Sequence, residues 1–317
     1  TFKFRKFLKW LSVDDSEIDL RELFSALWAG KVLIVAFTSA FALASVVYAL
    51  SLADQYRATV VIAPSQSGGA SMLGSMGSQL GGLASLAGIN VGGSGGGESQ
   101  QALEIMRSQA FITEFIADNN LEVPLLAADG WSRGENQLEF DDEIYSTDSN
   151  TWLRESKLGA AVEPTSWELY QAFLQRLGVT EDKKKGLVSV SIEYFSPQLA
   201  SDWVNKFVVA INEHMRQRKL QEVNRNIEYL EVQIEKTAIA DMREVFYEII
   251  EGQIKSKMLA EASPEYAFST VNRAMTPEVK SKPKRAIICV LGTLLGGILA
   301  LILVLLRYYV FNANRPR

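Results

Sequence analysis

An uncharged apolar run from Ala286 to Leu306 constrains this chain more than any other stretch of its sequence. Charged residues bound it on both sides, at Lys284 and Arg285 and again at Arg307. As a helix the run spans roughly 31 Å, which matches a hydrocarbon core of about 30 Å. A single charge at its centre would cost about 2.5–3.5 kcal/mol, and a soluble helix of this length would show a polar face. The run therefore predicts a transmembrane helix over residues 286–306.

A second uncharged run, from Val32 to Ala53, lies near the start of the chain. Its last three residues, from Ser51, resemble a signal-peptidase site, so cleavage is an alternative. The run is longer than the apolar region of about 7–15 residues in signal peptides, and we expect an uncleaved span over residues 32–53. Six basic residues precede it, which favours a cytoplasmic amino terminus. Residues 1–31 and 307–317 are then predicted to be cytoplasmic, and residues 54–285 to lie outside the cytoplasm.

Composition excludes several classes of function. The net charge of −5 gives no general attraction to nucleic acid. The only cysteine is Cys289, inside the second predicted span, and the only histidine is His214. Zinc sites built from His and Cys, and Ser-His or Cys-His catalysis, need more of these residues. We expect no metal, no cofactor and no enzymatic activity.

The large loop is long enough to bury a core of its own. It opens with a β-rich run from Tyr56 to Ala63, and residues 67–97 are rich in Gly and carry no charge. That stretch is either a flexible linker or a mobile apolar loop against the membrane or a neighbouring subunit. Apolar spacing predicts one helix from Glu98 to Asn120, and the acidic, turn-rich residues 129–157 predict a surface insertion.

Three local signals follow in the second half of the loop. Thr165 and Glu168 form a predicted capping box, opening a helix that turns Leu169, Phe173, Leu174 and Leu177 inward. Residues 187–194 alternate between apolar and polar side chains, which predicts a half-buried strand. Ser196 and Pro197 then suit the start of a helix.

The helical pattern that begins there forms a predicted arm over residues 197–262. As a single helix it would extend roughly 98 Å, whereas the 21 residues that return to Lys284 cover at most about 70–75 Å. A helical hairpin with its tip near residues 237–241, and a fresh N-cap at Asp241, resolves the conflict; a single oblique helix is the alternative. A strand over residues 266–274 is expected to return beside the first strand.

Together these features resemble the Wzz chain-length determinants of lipopolysaccharide O-antigen, a group of polysaccharide co-polymerases. The resemblance covers nearly the whole chain and is most specific in the runs NIEYLE at 226–231, REV at 243–245 and MLAEASPEYA at 258–267. A proline-containing neck and a glycine-bearing second span complete it. The chain departs from the pattern at Lys280, where many members carry another proline.

The resemblance implies an α+β membrane protein with two transmembrane helices flanking a periplasmic α/β base domain that bears a long helical hairpin. It implies a bacterial inner-membrane homo-oligomer, a ring of about eight subunits, without catalytic residues. The expected partners are a Wzy-type polymerase, a glycan on a polyprenyl-pyrophosphate carrier, and membrane lipid. A co-polymerase for capsule, exopolysaccharide or enterobacterial common antigen is the alternative.

Two groups of residues are candidate working parts. Small residues recur every four positions in both spans, which allows close helix packing, either within one subunit or against the polymerase, unless the spacing is coincidence. They are Ala36, Ala40, Ala44, Gly292, Gly296, Gly297 and Ala300. The second group is the membrane-proximal neck, where basic residues are expected to meet lipid or pyrophosphate headgroups or to serve as an interfacial anchor. It comprises Pro277, Lys280, Lys282, Pro283, Lys284 and Arg285.

Two further groups are expected to be unremarkable. His214 is predicted to lie on the polar face of the arm. The acids Asp141, Asp142 and Glu143 are predicted to form a solvated surface turn and not a catalytic pair.

Overall fold

The computed structural model describes residues 27–28, 30–65, 96–154 and 162–312. The chain divides into two compact units, one formed by residues 53–282 and the other by residues 1–52 with 283–317. Almost all of the predicted Gly-rich loop at 67–97 lies outside the described residues. The same is true of most of the predicted cytoplasmic segment 1–31 and of residues 313–317.

A four-stranded antiparallel sheet forms the centre of the larger unit. Its strands are β1 (Tyr56–Pro64), β6 (Leu177–Asp182), β7 (Leu187–Tyr194) and β8 (Phe268–Asn272). Across the sheet they lie in the order β6-β7-β1-β8. The alternation predicted for residues 187–194 is confirmed, since Val188, Val190, Ile192 and Tyr194 are all buried. The predicted return strand is also confirmed, over a shorter range, and it pairs with β1.

One face of the sheet is covered by helices. They are α2 (Gly96–Ile105), α3 (Gln109–Asp118), α4 (Glu122–Ala127), α5 (Ser166–Leu174) and the first part of α6 (Pro197–Lys236). Phe111 and Phe115 of α3, Phe173 of α5 and Phe207 of α6 are buried in one aromatic cluster, with ring centroids 5.1–5.5 Å apart. These rings fix how the helices pack above β1 and β7.

The single helix predicted over residues 98–120 is wrong, because the chain breaks at residues 106–108. Ser108 has an extended backbone, and its Oγ accepts a hydrogen bond from the amide of Phe111. An N-cap residue has a non-helical backbone, so the helix that precedes Ser108 has to end there. The capping hydrogen bond of Ser108 thus interrupts the helix that the continuous apolar spacing had predicted.

The capping box predicted at the start of α5 is confirmed. The hydroxyl of Thr165 accepts from the amide of Glu168, and the Glu168 carboxylate accepts from the amide of Thr165. Leu177 was expected on this helix but is the first residue of β6, because α5 ends at Leu174. Its side chain reaches the core from the sheet.

The predicted surface insertion contains two short hairpins. They are formed by β2 (Ala128–Ser132) with β3 (Gln137–Phe140), and by β4 (Tyr145–Ser146) with β5 (Thr151–Trp152). Asn136 and Asn150 have φ angles of 53° and 51°, a left-handed conformation that asparagine tolerates in turns. Asp142 and Glu143 are exposed, and Asp141 accepts a hydrogen bond from the amide of Glu143, so the predicted solvated turn is confirmed.

The arm is a helical hairpin, as predicted. Helix α6 has 40 residues, or about 60 Å, and α7 (Ala240–Ala262) has 23 residues, or about 35 Å. The two helices pack together, Arg216 on α6 interacts electrostatically with Glu261 on α7, and Ala260 returns to the base core. The single oblique helix is therefore wrong.

The predicted N-cap of the second arm helix is also wrong. Helix α7 begins after Ile239, which makes no side-chain cap, and Asp241 lies in the first turn. The backbone is extended at Thr237 and at Ile239, and the guanidinium Nε of Arg243 donates to the Thr237 carbonyl at 2.7 Å. A side chain from the second helix thus satisfies a carbonyl that the first helix leaves open.

The smaller unit contains two helices long and apolar enough to cross a membrane, α1 (Lys31–Ser51) and α8 (Arg285–Asn312). Most of their apolar side chains are exposed, including Leu43 and Leu291. A helix buried in a soluble core would hide such residues, so these helices need an apolar surrounding. The chain is an α+β protein with two candidate membrane helices near its ends.

We expect Phe207→Ala to lower the free energy of unfolding by about 3–5 kcal/mol, because it removes a ring that contacts three others in the aromatic cluster. Urea unfolding of the full chain in detergent, followed by circular dichroism, measures this. Val209→Ala is the control, since Val209 lies on the same helix with its side chain 68% exposed, and it should change stability by less than about 0.5 kcal/mol. Equal effects of the two variants would contradict the packing described.

Candidate functional site: the paired spans and the neck

Glycines of α8 let the two apolar helices pack closely. A Cβ built on Gly292 would lie 2.5 Å from Cβ of Ser45, and one built on Gly296 would lie 2.4 Å from Cβ of Phe41. Neither distance is tolerable, so the backbone of α8 touches side chains of α1 directly. Ala300, four residues further on, is fully buried. Gly292, Gly296 and Ala300 therefore form one stripe of close contact within the subunit.

Gly297 lies at the edge of this stripe, because the nearest atom to its built Cβ is Oγ1 of Thr38 at 4.0 Å. Sequence reasoning missed a further close approach, in which a Cβ on Gly30 would lie 2.4 Å from Cγ1 of Val304. Gly30 precedes the apolar run, and a single glycine outside a repeat gives no packing signal in the sequence.

The alanine stripe of the first span does not take part in this contact. Ala36, Ala40 and Ala44 are all exposed, whereas Phe41, Ser45 and Ala49 lie on the side of α1 that meets α8. Ala40 and Phe41 are neighbours in sequence, and consecutive helical residues point about 100° apart. The structure thus places the two predicted stripes on different surfaces of the helix pair.

The end of the neck belongs to the same unit as the spans. Helix α8 begins at Arg285, just after Pro283, whose ring cannot continue a helix towards the base. The Nε of Arg285 donates to the carbonyl of Ala49 at 3.1 Å, which ties the start of α8 to the end of α1. Lys284 is exposed, and its carbonyl accepts from the amides of Ile287 and Ile288.

The beginning of the neck belongs to the base. Pro277 is half-buried, and further along the amide of Gln55 donates to the carbonyl of Lys282 at 2.9 Å. The amide of Ser281 donates in turn to the carbonyl of Gln55 at 2.8 Å. The two ends of the base unit, residues 53 and 282, are therefore held side by side by backbone hydrogen bonds.

The two lysines of this part of the neck have carboxylate partners. The ammonium of Lys280 lies 3.2 Å from Oδ1 of Asp54, and that of Lys282 pairs with Glu193 at the end of β7. Arg57 on β1 pairs with the same Glu193 at 2.8 Å. Each of the two lysines is thus already paired with a carboxylate, and a headgroup would have to compete with Asp54 or Glu193.

Glu193 is the most enclosed member of this group, with a side chain only 8% exposed. Burial by itself raises the pKa of this carboxyl, but hydrogen bonds from Lys282 and Arg57 and their positive charges outweigh burial and hold the pKa below its usual value. The carboxylate therefore stays ionised at neutral pH and joins β7, β1 and the neck.

His214 does not lie on a fully polar face. Its side chain is half-buried, with the imidazole edge against the ring of Phe111 and Nδ1 3.6 Å from a carboxylate oxygen of Glu114. Within the described ranges, no group of three or more His, Cys, Asp or Glu side chains is placed to hold a metal ion.

These observations define a class of protein that has two candidate membrane helices packed together and a separate folded unit whose two chain ends are hydrogen-bonded side by side. Residues 16–119, about a third of the chain, match the model of the family Wzz, described as chain length determinant protein. This match confirms the family resemblance found in the sequence. It falls on the first span, β1, α2 and α3, whereas the runs that suggested the family lie in the last third of the chain.

Solved structures with similarity to this chain include one described as a full-length bacterial polysaccharide co-polymerase. It is 14% identical, with a TM-score of 0.40, over 95% of this chain and 100% of that one. A fragment of WzzB, a polysaccharide co-polymerase from Salmonella Typhimurium, is 11% identical with a TM-score of 0.27, over 73% of this chain and 100% of that one. No curated protein matches the sequence significantly. The resemblance to the family therefore rests on the family model over residues 16–119.

We expect Gly296→Val to lower the thermal unfolding midpoint of the full chain in detergent by several degrees, because the new side chain would overlap Phe41. Gly297→Val is the matched control, with the same change one residue away, where the built Cβ meets nothing closer than 4.0 Å. Differential scanning fluorimetry compares the two variants. Equal midpoints for Gly296→Val and the parent would contradict the close packing.

We expect Glu193→Gln to lower the free energy of unfolding at pH 7 by about 1 kcal/mol, because Lys282 and Arg57 lose their counter-charge but remain half-exposed. The lowered pKa means that this stability is present above the unfolded carboxyl pKa of about 4.3 and is lost as the pH falls through the lower, folded value. Denaturation curves of the parent and variant should therefore converge in acid. Glu181→Gln, at an exposed position on β6, is the control. A difference between Glu193→Gln and the parent that stays undiminished as the pH falls would argue against the pairing.

Proposed function

We propose that this chain is a non-catalytic, oligomeric regulator of the length of a surface polysaccharide, the O-antigen of lipopolysaccharide, made by a Wzy-type polymerase. The match of residues 16–119 to the chain length determinant family carries this proposal. The matched stretch contains the first candidate membrane helix and the start of the base. It therefore covers the part of the molecule that connects a membrane segment to the folded unit.

The site supports a structural mode of action. Lys280 and Lys282 form ion pairs, backbone hydrogen bonds join the two ends of the base, and glycines of α8 let the two spans pack closely. Each arrangement holds segments in place, and none of them presents a nucleophile next to a base. We infer that the protein acts by positioning other molecules: a polymerase in the membrane and a growing glycan on a polyprenyl-pyrophosphate carrier.

Copies of the chain are proposed to pack side by side into a ring of about eight in the bacterial inner membrane, with both termini cytoplasmic and the base in the periplasm. Exposed apolar side chains on the hairpin support this assembly, because water would otherwise face them along both arms. They include Tyr229 and Val232 on α6 and Tyr247, Ile254 and Met258 on α7. The exposed alanine face of α1 and the basic Lys284 are left to meet lipid or a second membrane protein.

Glycan length would then depend on how long the growing chain stays engaged with this assembly. Deletion of the gene is expected to replace a lipopolysaccharide ladder that has a preferred length by one without it. Expression of the chain from a plasmid should restore the preferred length on a gel. Capsule, exopolysaccharide and enterobacterial common antigen, measured in the same strains, test the alternative co-polymerase roles. An unchanged lipopolysaccharide ladder together with a changed second polymer would move the proposal to that polymer, and no change in any of them would refute it.

A further inference from the structure

The arm helix α6 holds the returning chain through two asparagine side chains. We call residues 267–276, which include β8 and lead into the neck, the return strap. Asn212 is buried, with 3% of its surface exposed. Its Oδ1 accepts from the amides of Ala267 and Phe268 at 2.9 and 2.8 Å, and its Nδ2 donates to the carbonyl of Phe268 at 2.9 Å. The described hydrogen bonds between the Asn212 side chain and the strap are therefore with the backbone of the strap.

Asn205 repeats this arrangement seven residues earlier on the same face of α6. Its Oδ1 accepts from the amide of Ala274 at 3.1 Å, and its Nδ2 donates to the carbonyl of Ala274 at 3.1 Å. One turn before it, the hydroxyl of Ser201 lies 3.4 Å from that of Thr276. The strap is thus attached to α6 at successive points along its length.

These contacts differ in kind from ordinary core packing. A buried amide that loses its partners is costly, so an asparagine at position 212 is stable only while the strap presents its backbone there. Because an amide group pairs with a peptide group in a fixed geometry, each asparagine sets the register of the strap on α6. The strap cannot slide along α6 without breaking both pairs.

The next backbone attachment in the chain is at the other end of the neck. Between Ala274 and the Gln55 hydrogen bonds to Ser281 and Lys282, the described polar interactions of the chain are the Ser201–Thr276 approach and the Lys280–Asp54 ion pair. Asn205 is therefore the last described side chain of α6 that bonds to the strap's backbone before the neck. A movement of α6 reaches residues 276–282 through this pair of hydrogen bonds and, more weakly, through the 3.4 Å contact of Ser201 with Thr276.

We propose that Asn205 and Asn212 form a mechanical coupling between the helical arm and the neck, so that a displacement of the arm shifts the segment that leads into the second span. The effect on glycan length rests on the function proposed above, whereas the coupling itself does not. Asn205 is a positioning residue in this scheme, acting on the glycan only through the neck.

Hydrogen exchange of the full chain in detergent tests the coupling directly. Asn205 is only half-buried, and its replacement spares the Asn212 site. In Asn205→Ala the amides of Ala274, Ser281 and Lys282, whose hydrogen bonds are described above, should exchange about tenfold faster, because Ala274 loses both bonds to the side chain and the segment that follows is less restrained. Peptides from the arm at 223–260 should not change. Asn226→Ala is the matched control, because Asn226 is an exposed asparagine on the same helix. Unchanged exchange at 273–282 in Asn205→Ala would overturn the coupling.

The same two variants are then compared in the deletion strain at equal protein levels. Asn205→Ala should shift the preferred length of the glycan, while Asn226→Ala should restore the parental length. Faster exchange of the neck with an unaltered length distribution would refute a role for the coupling in length control. If the parental chain itself leaves every glycan unchanged, the proposed function fails, and the exchange measurement alone still decides whether arm and neck are coupled.

Discussion

The pairing of strand β1 with β7 and β8 is the interaction on which the rest of the large unit depends. Strand β1 lies between these two strands, with Tyr56 opposite Tyr194 and Pro64 opposite Phe268. These partners are far apart in sequence, so the sheet holds the beginning of the base, at β1, next to its middle, at β7, and its end, at β8. Because β8 runs antiparallel to β1, the chain that leaves the first span and the chain that enters the second are brought to the same end of the sheet. The Gln55–Lys282 hydrogen bonds and the Glu193 pairs stabilise that meeting point.

Side chains bond to backbone groups at both edge strands of this sheet. On β6, the guanidinium of Arg107 donates to the carbonyl of Val179 at 2.8 Å. At the start of β8, the amides of Ala267 and Phe268 donate to Oδ1 of Asn212. Open edges invite pairing with other chains, and a side chain that bonds to the backbone of an edge strand opposes such pairing.

The hairpin divides its packing between two environments. Near the base, α6 is buried on one side by the sheet and the aromatic cluster, with residues such as Val204, Phe207 and Ile211 fully enclosed. Beyond Met215 the buried positions of α6 thin out to Val223 and Leu230. The outer arm is thus a two-helix structure that buries little apolar surface by itself. Its exposed apolar side chains are the observation that supports the assembly proposed above.

The sequence alone determined the features that depend on local chemistry. The two uncharged runs, the alternation over residues 187–194, the caps at Ser196 and Thr165, and the hairpin inferred from chain reach all follow from spacing and length. The resemblance to the Wzz family was also found from short runs of residues. In each case the signal lies within a few neighbouring residues or in a simple limit on distance.

Only the tertiary structure decided which surfaces meet. Glycine and alanine stripes have the same spacing in both spans, yet Gly292 and Gly296 face α1 while Ala36, Ala40 and Ala44 do not face α8. The ion pairs of Lys280 and Lys282 could not be predicted, because their partners Asp54 and Glu193 are distant from them in sequence. Asn205 and Asn212 gave no signal, since asparagines in a polar helix are common and their value depends on a strap more than fifty residues away. Contacts of this kind depend on how distant elements are oriented, and local residue patterns do not specify that orientation.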